Sequence, residues 1–297
     1  MHTETMKNHP PVRTRKTPPA VLAKRIIRYI PIFILLVLFA FLLLAPLLWM
    51  CLGAFKSDPE VLSYPPRFFP VGNNIPKNWE NVLKQIDFWG MTVNTAVYAI
   101  GTTIPAMLVN ALAGYAFARF RFRGKNVLFL LFLATMMIPF QVIMIPLFVE
   151  EYMLGILNTL PGLVLPRMSC AYGIFMMRTF FRSLPRNLEE AARIDGENEI
   201  GIYFRIMLPL ARPGIVALGI YLLMTNWNDL TYPLILTTDA GMRTLPAGIA
   251  MFVGNNQSSY YGPMIAATVV SIAPLLLLYL FLQRQFITGI AMSGMKD

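Results

Sequence analysis

Long charge-free apolar runs separated by short basic segments dominate this sequence of 297 residues. A helix needs about 20 predominantly apolar residues to cross the hydrocarbon core of a membrane. The first run, Pro31 to Gly53, contains no charge and follows Lys24, Arg25 and Arg28. It exceeds the apolar region of a cleaved signal peptide, and Cys51-Leu52-Gly53-Ala54-Phe55 makes a poor cleavage site. Further runs extend from Phe88 to Ala118, Asn126 to Val149, Pro161 to Met177, Gly214 to Thr237 and Gly262 to Gln283. The basic turn Arg119 to Lys125 is short enough to join the second and third runs as a helical hairpin. The pattern predicts an all-α polytopic membrane protein with six transmembrane helices.

Composition agrees, since 56% of the residues are hydrophobic and 13% charged, whereas soluble domains carry about 25% charged residues. The formal charge of +10 raises the question of nucleic acid, which needs basic residues gathered on a face. Here they punctuate apolar runs instead. Alternate loops hold 19 Lys and Arg on the side of the N-terminus and 5 on the other, with Arg167 left inside the fourth run. The positive-inside rule then places both termini in the cytoplasm, with anionic membrane lipid as a secondary partner and no nucleic acid. Cys51 and Cys170 lie within apolar runs, without disulfide or zinc spacing. Only His2 and His9 are available as histidines, which argues against histidine-based catalysis or metal binding.

Ionisable groups within a bilayer are costly and point to function. Arg167 is expected to snorkel to the interface, and Asp229, in Asn226-Trp227-Asn228-Asp229, to line a cavity or cap the outer end of the fifth span. The interior prolines Pro46, Pro105, Pro139, Pro146, Pro233 and Pro274 each remove a backbone donor and can kink a helix. Gly114 and Ala118, four residues apart, permit close helix approach.

The segment between the fourth and fifth runs, Arg182 to Pro213, is too patterned for a connector. Asn187 and Glu190 suit a capping box, with a short helix running to Asp195 and stopping at Gly196 in the left-handed conformation. Ile200, Tyr203, Phe204 and Met207 then share one face of a second short helix, ended by Pro209 and Pro213. Two short helices meeting at a glycine form a compact knob. Its dense acidic residues disfavour the alternative of a helix lying on anionic headgroups.

Glu190-Ala191-Ala192, then Gly196, then Ile206-Met207-Leu208-Pro209 stand at the EAA-x3-G-x9-I-x-L-P spacing. The sequence thereby resembles permease subunits of binding-protein-dependent ABC importers. Trp227-Asn228-Asp229, Tyr232-Pro233-Leu234, Arg243-Thr244-Leu245-Pro246 and Gln283-Arg284-Gln285-Phe286 with Gly289 resemble the carbohydrate branch, specifically its smaller six-span subunit as in the maltose importer. The resemblance covers most of the chain beyond residue 88 and, more weakly, the first span and outer loop. Asp229 stands where many relatives have Glu.

The resemblance implies a type I ABC importer permease fold in the plasma membrane of a prokaryote. It implies a cytoplasmic tail over 1–28, a first transmembrane helix over 29–54, an extracytoplasmic loop over 55–87, a permease core over 88–284 containing the EAA loop 182–213, and a cytoplasmic tail over 285–297. The ATPase-coupling positions are Glu190, Ala191, Ala192, Asp195, Gly196, Ile206, Leu208 and Pro209. The implied partners are a second homologous permease, a dimer of ATP-binding cassette ATPases, an extracytoplasmic solute-binding protein and a carbohydrate. The chain carries no G-x-x-x-x-G-K-[ST] loop, so ATP is used by the partner, and no cofactor is bound here. A nucleophile with a partnered base and a paired-carboxylate site are also lacking.

Candidates for the translocation path are Asn94, Asn110, Gln141, Asn226 and Trp227, although Asn and Gln also join membrane helices. Gly254-Asn255-Asn256-Gln257 is the candidate contact for the binding protein, and by resemblance the tail after Arg284 can touch the ATPase. An ion- or proton-coupled carrier, or a passive channel, is the alternative reading. The scarcity of buried carboxylates counts against a proton-coupled carrier.

Overall fold

Apolar runs become helices because a backbone placed in hydrocarbon must satisfy its own hydrogen bonds. The computed structural model describes residues 19–253 and 260–294, with side chains over 29–253 and 260–281. The chain divides into two compact units, 1–51 and 52–297. The first holds nearly all of α1 (Pro19–Gly53). The second begins with α2 (Asp58–Val61), α3 (Ile75–Gln85), α4 (Phe88–Arg119), α5 (Lys125–Thr135), α6 (Phe140–Leu154) and α7 (Leu160–Val164), which leads into a 3-10 turn, Leu165–Arg167. It continues with α8 (Ala171–Ser183), α9 (Asn187–Ile194) and α10 (Glu199–Gly201), which passes through a π-helical segment, Ile202–Met207, into α11 (Leu208–Leu210). Then come α12 (Arg212–Trp227), α13 (Thr231–Leu236), α14 (Leu245–Ala250) and α15 (Tyr261–Gly294). Among the described residues there is no strand.

Helices α1, α4 and α15 are each long and apolar enough to cross a membrane unbroken. The third, fourth and fifth expected spans are not continuous. Each maps onto a bent pair: α5 with α6 at 97°, the stretch Leu160–Arg167 with α8 at 50°, and Glu199–Leu210 with α12 at 75°. Counting each pair as one span brings the total to as many as six. The expected fifth run to Thr237 also breaks after Trp227 and resumes as α13. Pro139 just before α6 and Pro213 in the first turn of α12 stand at two of these breaks, and Pro166 in the 3-10 turn precedes the other. They lack the N–H that an interior helical position requires.

Within the second unit α4 is the central element, packed on α8 and α12. Gly114 allows the closest approach. A Cβ there would stand 2.5 Å from Met177 Cβ and 2.9 Å from the backbone nitrogen of Arg178. Backbone cannot yield as a side chain can, so Gly114→Ala is expected to destabilise by about 1–3 kcal/mol through overpacking, and Gly114→Val by more. Thermal unfolding in detergent would test this, and an unchanged midpoint for Gly114→Val would refute it. At one end of α4, Val82, Ile86, Phe88, Met91, Leu245, Phe252 and Ala267 form a core with α3, α14 and α15. At the other, Tyr115, Ala118, Phe181, Ala192, Ile202, Tyr203 and Met207 form a second core that joins α4 and α8 to the segment 187–211.

Candidate functional site

The segment 187–211 has one side built into the bundle and the other facing outward. The expected capping box is not made: Asn187 is already helical, Arg186 takes the cap position, and no side chain caps the end. The backbone N–H groups of Glu189 and Glu190 both donate to Arg186 O, at 3.0 and 3.2 Å. Glu189, rather than Glu190, turns inward. Its Oε1 lies 2.9 Å from Arg119 Nε, with the two side chains 5% and 3% exposed. The two atoms are in ionic contact without the alignment of a hydrogen bond. Arg119 Nη2 also donates to Leu184 O at 2.8 Å. Burial pushes the Glu189 carboxyl above the usual carboxylate range, while the neighbouring guanidinium of Arg119 pulls it down.

Gly196 adopts the left-handed conformation expected of it, with φ of +84°. Glu197 N donates to Ala192 O at 2.9 Å and Gly196 N to Arg193 O at 3.1 Å. These are the two bonds of a Schellman ending. Asn198 then caps the next turn, its side chain accepting from Gly201 N at 2.7 Å. Two exposed ion pairs hold the arms together, Arg193 with Glu199 at 2.6 Å and Arg205 with Glu197 at 3.2 Å. Hydrogen bonds from Arg193 keep the Glu199 carboxyl below its ordinary range.

The second arm corrects the expected apolar face. Ile202 and Met207, five residues apart, are both fully buried, as π-helical winding allows. Ile200 and Phe204, assigned to that face by α-helical spacing, are 72% and 55% exposed. The positions expected to couple to an ATPase therefore divide. Ala192 is buried, and Ile206 and Leu208 pack against the same core, whereas Glu190, Ala191, Asp195, Gly196 and Pro209 face outward. Ile194, 87% exposed, adds a third apolar side chain to that outward surface.

A second polar constellation lies where two helices are interrupted. Arg167, at the end of the 3-10 turn, meets Asp229, just beyond α12, with Nη1 3.0 Å from Oδ2. Arg167 therefore has a buried partner, which replaces the expected escape to the interface. Its Nε donates to Asn226 Oδ1 at 3.0 Å, and its guanidinium carbon stands 4.6 Å from the centre of the Tyr232 ring. Tyr98 donates its hydroxyl to Asp229 Oδ2 at 2.6 Å. Asn226 Nδ2 donates to Thr103 Oγ1 at 3.1 Å. Beside the cluster is a cavity of about 170 Å³, which Arg167, Ser169, Cys170, Tyr221, Asn226 and Tyr232 help to line.

Of the path candidates, Asn226 borders this cavity. Asn94 instead donates to the carbonyls of Gly241 and Arg243. Asn110 donates to Ala106 O and accepts from Cys170 N, Trp227 Nε1 donates to Ser271 O, and Gln141 is exposed at the start of α6. Gly254, Asn255, Asn256 and Gln257 lie outside the described residues, as do the side chains of the tail after Arg284. Sequence reasoning missed Tyr98, Tyr221 and Tyr232 as neighbours of the charged pair, and Glu189 with Arg119. No spacing rule signals pairs so far apart in the chain.

The family described as "Binding-protein-dependent transport system inner membrane component" matches residues 110–291. The chain is 35% identical over 266 residues to the arabinooligosaccharides transport system permease protein AraQ of Halalkalibacterium halodurans, covering 86% of this chain and 92% of that protein. It is 33% identical to the diacetylchitobiose uptake system permease protein NgcG of Streptomyces coelicolor, covering 88% and 86%. To the sn-glycerol-3-phosphate transport system permease protein UgpE of Yersinia pestis it is 31% identical, covering 88% and 95%. Its fold is similar to a chain from the crystal structure of a bacterial ABC transporter involved in the import of the acidic polysaccharide alginate. That match has a TM-score of 0.73 and 24% identity, and covers 93% of this chain and 100% of the other. The chain thus belongs to the family of binding-protein-dependent transport system inner membrane components, and is a multi-pass ABC importer permease of the bacterial plasma membrane.

Proposed function

We propose that this chain forms half of the translocation path of an ATP-driven carbohydrate importer, with six spans and both termini cytoplasmic. A second homologous permease forms the other half, an extracytoplasmic solute-binding protein delivers the sugar, and a dimer of cytosolic ATPases binds and hydrolyses the ATP. The observation that carries the reading is the two-sided segment 187–211. Its outward surface bears Glu190, Ala191, Gly196 and the exposed Ile194, Ile200 and Phe204. Its inward surface shares one core with α4, α8 and α12. A partner seated on the outside can therefore move the spans through rigid packing. The carbohydrate assignment is supported by relatives named for arabinooligosaccharides, diacetylchitobiose and lactose.

The test uses Gly196→Val and Glu190→Arg. A Cβ at Gly196 would meet nothing within 4 Å, so the cost is conformational, about 1–2 kcal/mol for a left-handed non-glycine residue. The Schellman ending, and with it the angle between the arms, is lost. Charge reversal at the exposed Glu190 leaves the fold intact and alters only the docking surface. Both variants are expected to insert normally and to lose ATP-driven sugar uptake in proteoliposomes. Full uptake by both, with the ATPase still bound, would overturn the coupling assignment. Uptake that continues without any ATPase would favour a carrier or channel.

A further inference from the structure

Resting on the importer reading, we propose that this subunit carries its own saccharide half-site at the Arg167 cavity, and that the site selects uncharged, hydroxyl-rich rings over anionic ones. Irregular backbone at membrane depth is tolerated where it is buried in protein or lines a cavity. Residues 168–170 and 228–230 are two interruptions between helices, and the Arg167–Asp229 pair joins one to the other across the chain. The cavity opens beside that junction, bordered by the first break and by the last turn of α12.

The donors and acceptors there suit a sugar. Arg167 uses one N–H toward Asn226 and one toward Asp229. The remaining three of its five donors have no acceptor among the described residues and are available to hydroxyls. Tyr232 is already engaged by Arg167 at 4.6 Å and by Phe140 at 4.3 Å, so Tyr221, braced against Tyr172 at 4.5 Å and lining the cavity, supplies the aromatic wall for the C–H side of a ring. Apolar and aromatic walls with few placed polar groups characterise small-molecule sites. The volume of about 170 Å³ falls below the roughly 300 Å³ at which complete sites begin. It suits one ring, completed from the opposite half of the path.

Charge decides the class of solute. Asp229 is saturated: Oδ2 receives Tyr98 and Arg167, and Oδ1 receives the backbone N–H groups of Thr231 and Tyr232 at 3.0 and 3.3 Å. The pair is therefore neutral as a unit. An anionic solute must either leave Arg167 paired and forgo its charge, or take Arg167 and strand a buried carboxylate, a costly outcome. A neutral saccharide faces neither penalty.

Cys170 lines the cavity and reports its occupancy. With Cys51→Ser it is the sole thiol of the chain. The assembled transporter, its partners made cysteine-free, would be placed in lipid nanodiscs. Modification of Cys170 by methyl methanethiosulfonate would be followed by mass spectrometry with arabinotriose, N,N′-diacetylchitobiose, lactose or sn-glycerol 3-phosphate present. ATP-dependent uptake of each would be measured in proteoliposomes of the same preparation. The neutral sugar that is taken up should slow modification about tenfold at about ten times its Kd, and sn-glycerol 3-phosphate should not. Asp229→Asn, close to isosteric, frees the Arg167 charge and should shift protection toward sn-glycerol 3-phosphate; Tyr98→Phe, which leaves the ion pair, should not. Uptake of a neutral sugar with no protection would overturn the half-site and leave the importer reading standing. Equal protection by neutral and anionic solutes, or an unaltered preference in Asp229→Asn, would overturn charge selection. ATP-dependent uptake of none of the four would overturn the carbohydrate reading and this site with it.

Discussion

Glu189→Ala is expected to lower stability by about 3–5 kcal/mol, the usual cost of removing one partner from a buried ion pair. The Glu189 and Arg119 side chains are almost wholly withdrawn from solvent and 2.9 Å apart. Once the carboxylate is gone, the guanidinium keeps only Leu184 O as a hydrogen-bond partner among the described residues and must remain charged in a poorly solvating site. Arg119→Ala should cost as much for the mirror-image reason. The double variant Arg119→Met with Glu189→Leu should recover most of the loss, because apolar groups of similar volume often replace a buried pair at little cost. Thermal unfolding of all three in detergent forms a double-mutant cycle. Single variants no less stable than the double would show that the pair is not coupled. Because Arg119 ends α4 and Glu189 begins α9, both single variants should also lose ATP-driven uptake under conditions where they remain folded.

The second large effect is expected at Phe181. Its side chain is fully buried, with ring centres 5.3 Å from Tyr115 on α4 and 6.4 Å from Tyr203 in the π-helical segment. Phe181→Ala removes the wedge between α4, α8 and the segment 187–211 and leaves a cavity, at a cost of about 3–5 kcal/mol. Phe181→Leu keeps most of the volume and should cost about 1.5 kcal/mol or less. The informative measurement is paired: unfolding temperature, and sugar-stimulated ATP hydrolysis by the reconstituted transporter. Phe181→Ala should lower the first and uncouple the second from transport, while Phe181→Leu retains both. A Phe181→Ala protein with full coupling would mean that the core at this end of α4 is structural only.

Much of this architecture is legible in one dimension. The spans α1, α4 and α15 follow from uninterrupted apolar length, and the left-handed Gly196 from its place after a short amphipathic run. The sequence is less informative where helices break. Pro139 and Pro213 mark interruptions, but hydropathy averaged over a window cannot distinguish a straight span from one bent by 97°, because both are equally apolar. The phase of the second arm of segment 187–211 is illegible for a related reason. An i, i+3, i+4 rule presumes α-helical winding, and the tertiary core selects a π-helical turn that buries Ile202 with Met207 and leaves Ile200 and Phe204 exposed.

The sequence by itself determined that the chain is helical and membrane-embedded, and which segment bears the EAA-x3-G-x9-I-x-L-P spacing. Transfer into hydrocarbon and helical periodicity are sums over neighbouring residues, and can be read from their order. Only the tertiary structure decided that Arg167 takes Asp229, that Arg119 takes Glu189, that Asn226 borders a cavity while Asn94 and Asn110 serve as helix ties, and that three tyrosines gather around one charged pair. Those outcomes depend on which faces of distant helices pack together, and on the rule that a charge drawn out of water must find its counterion wherever the fold brings one within reach.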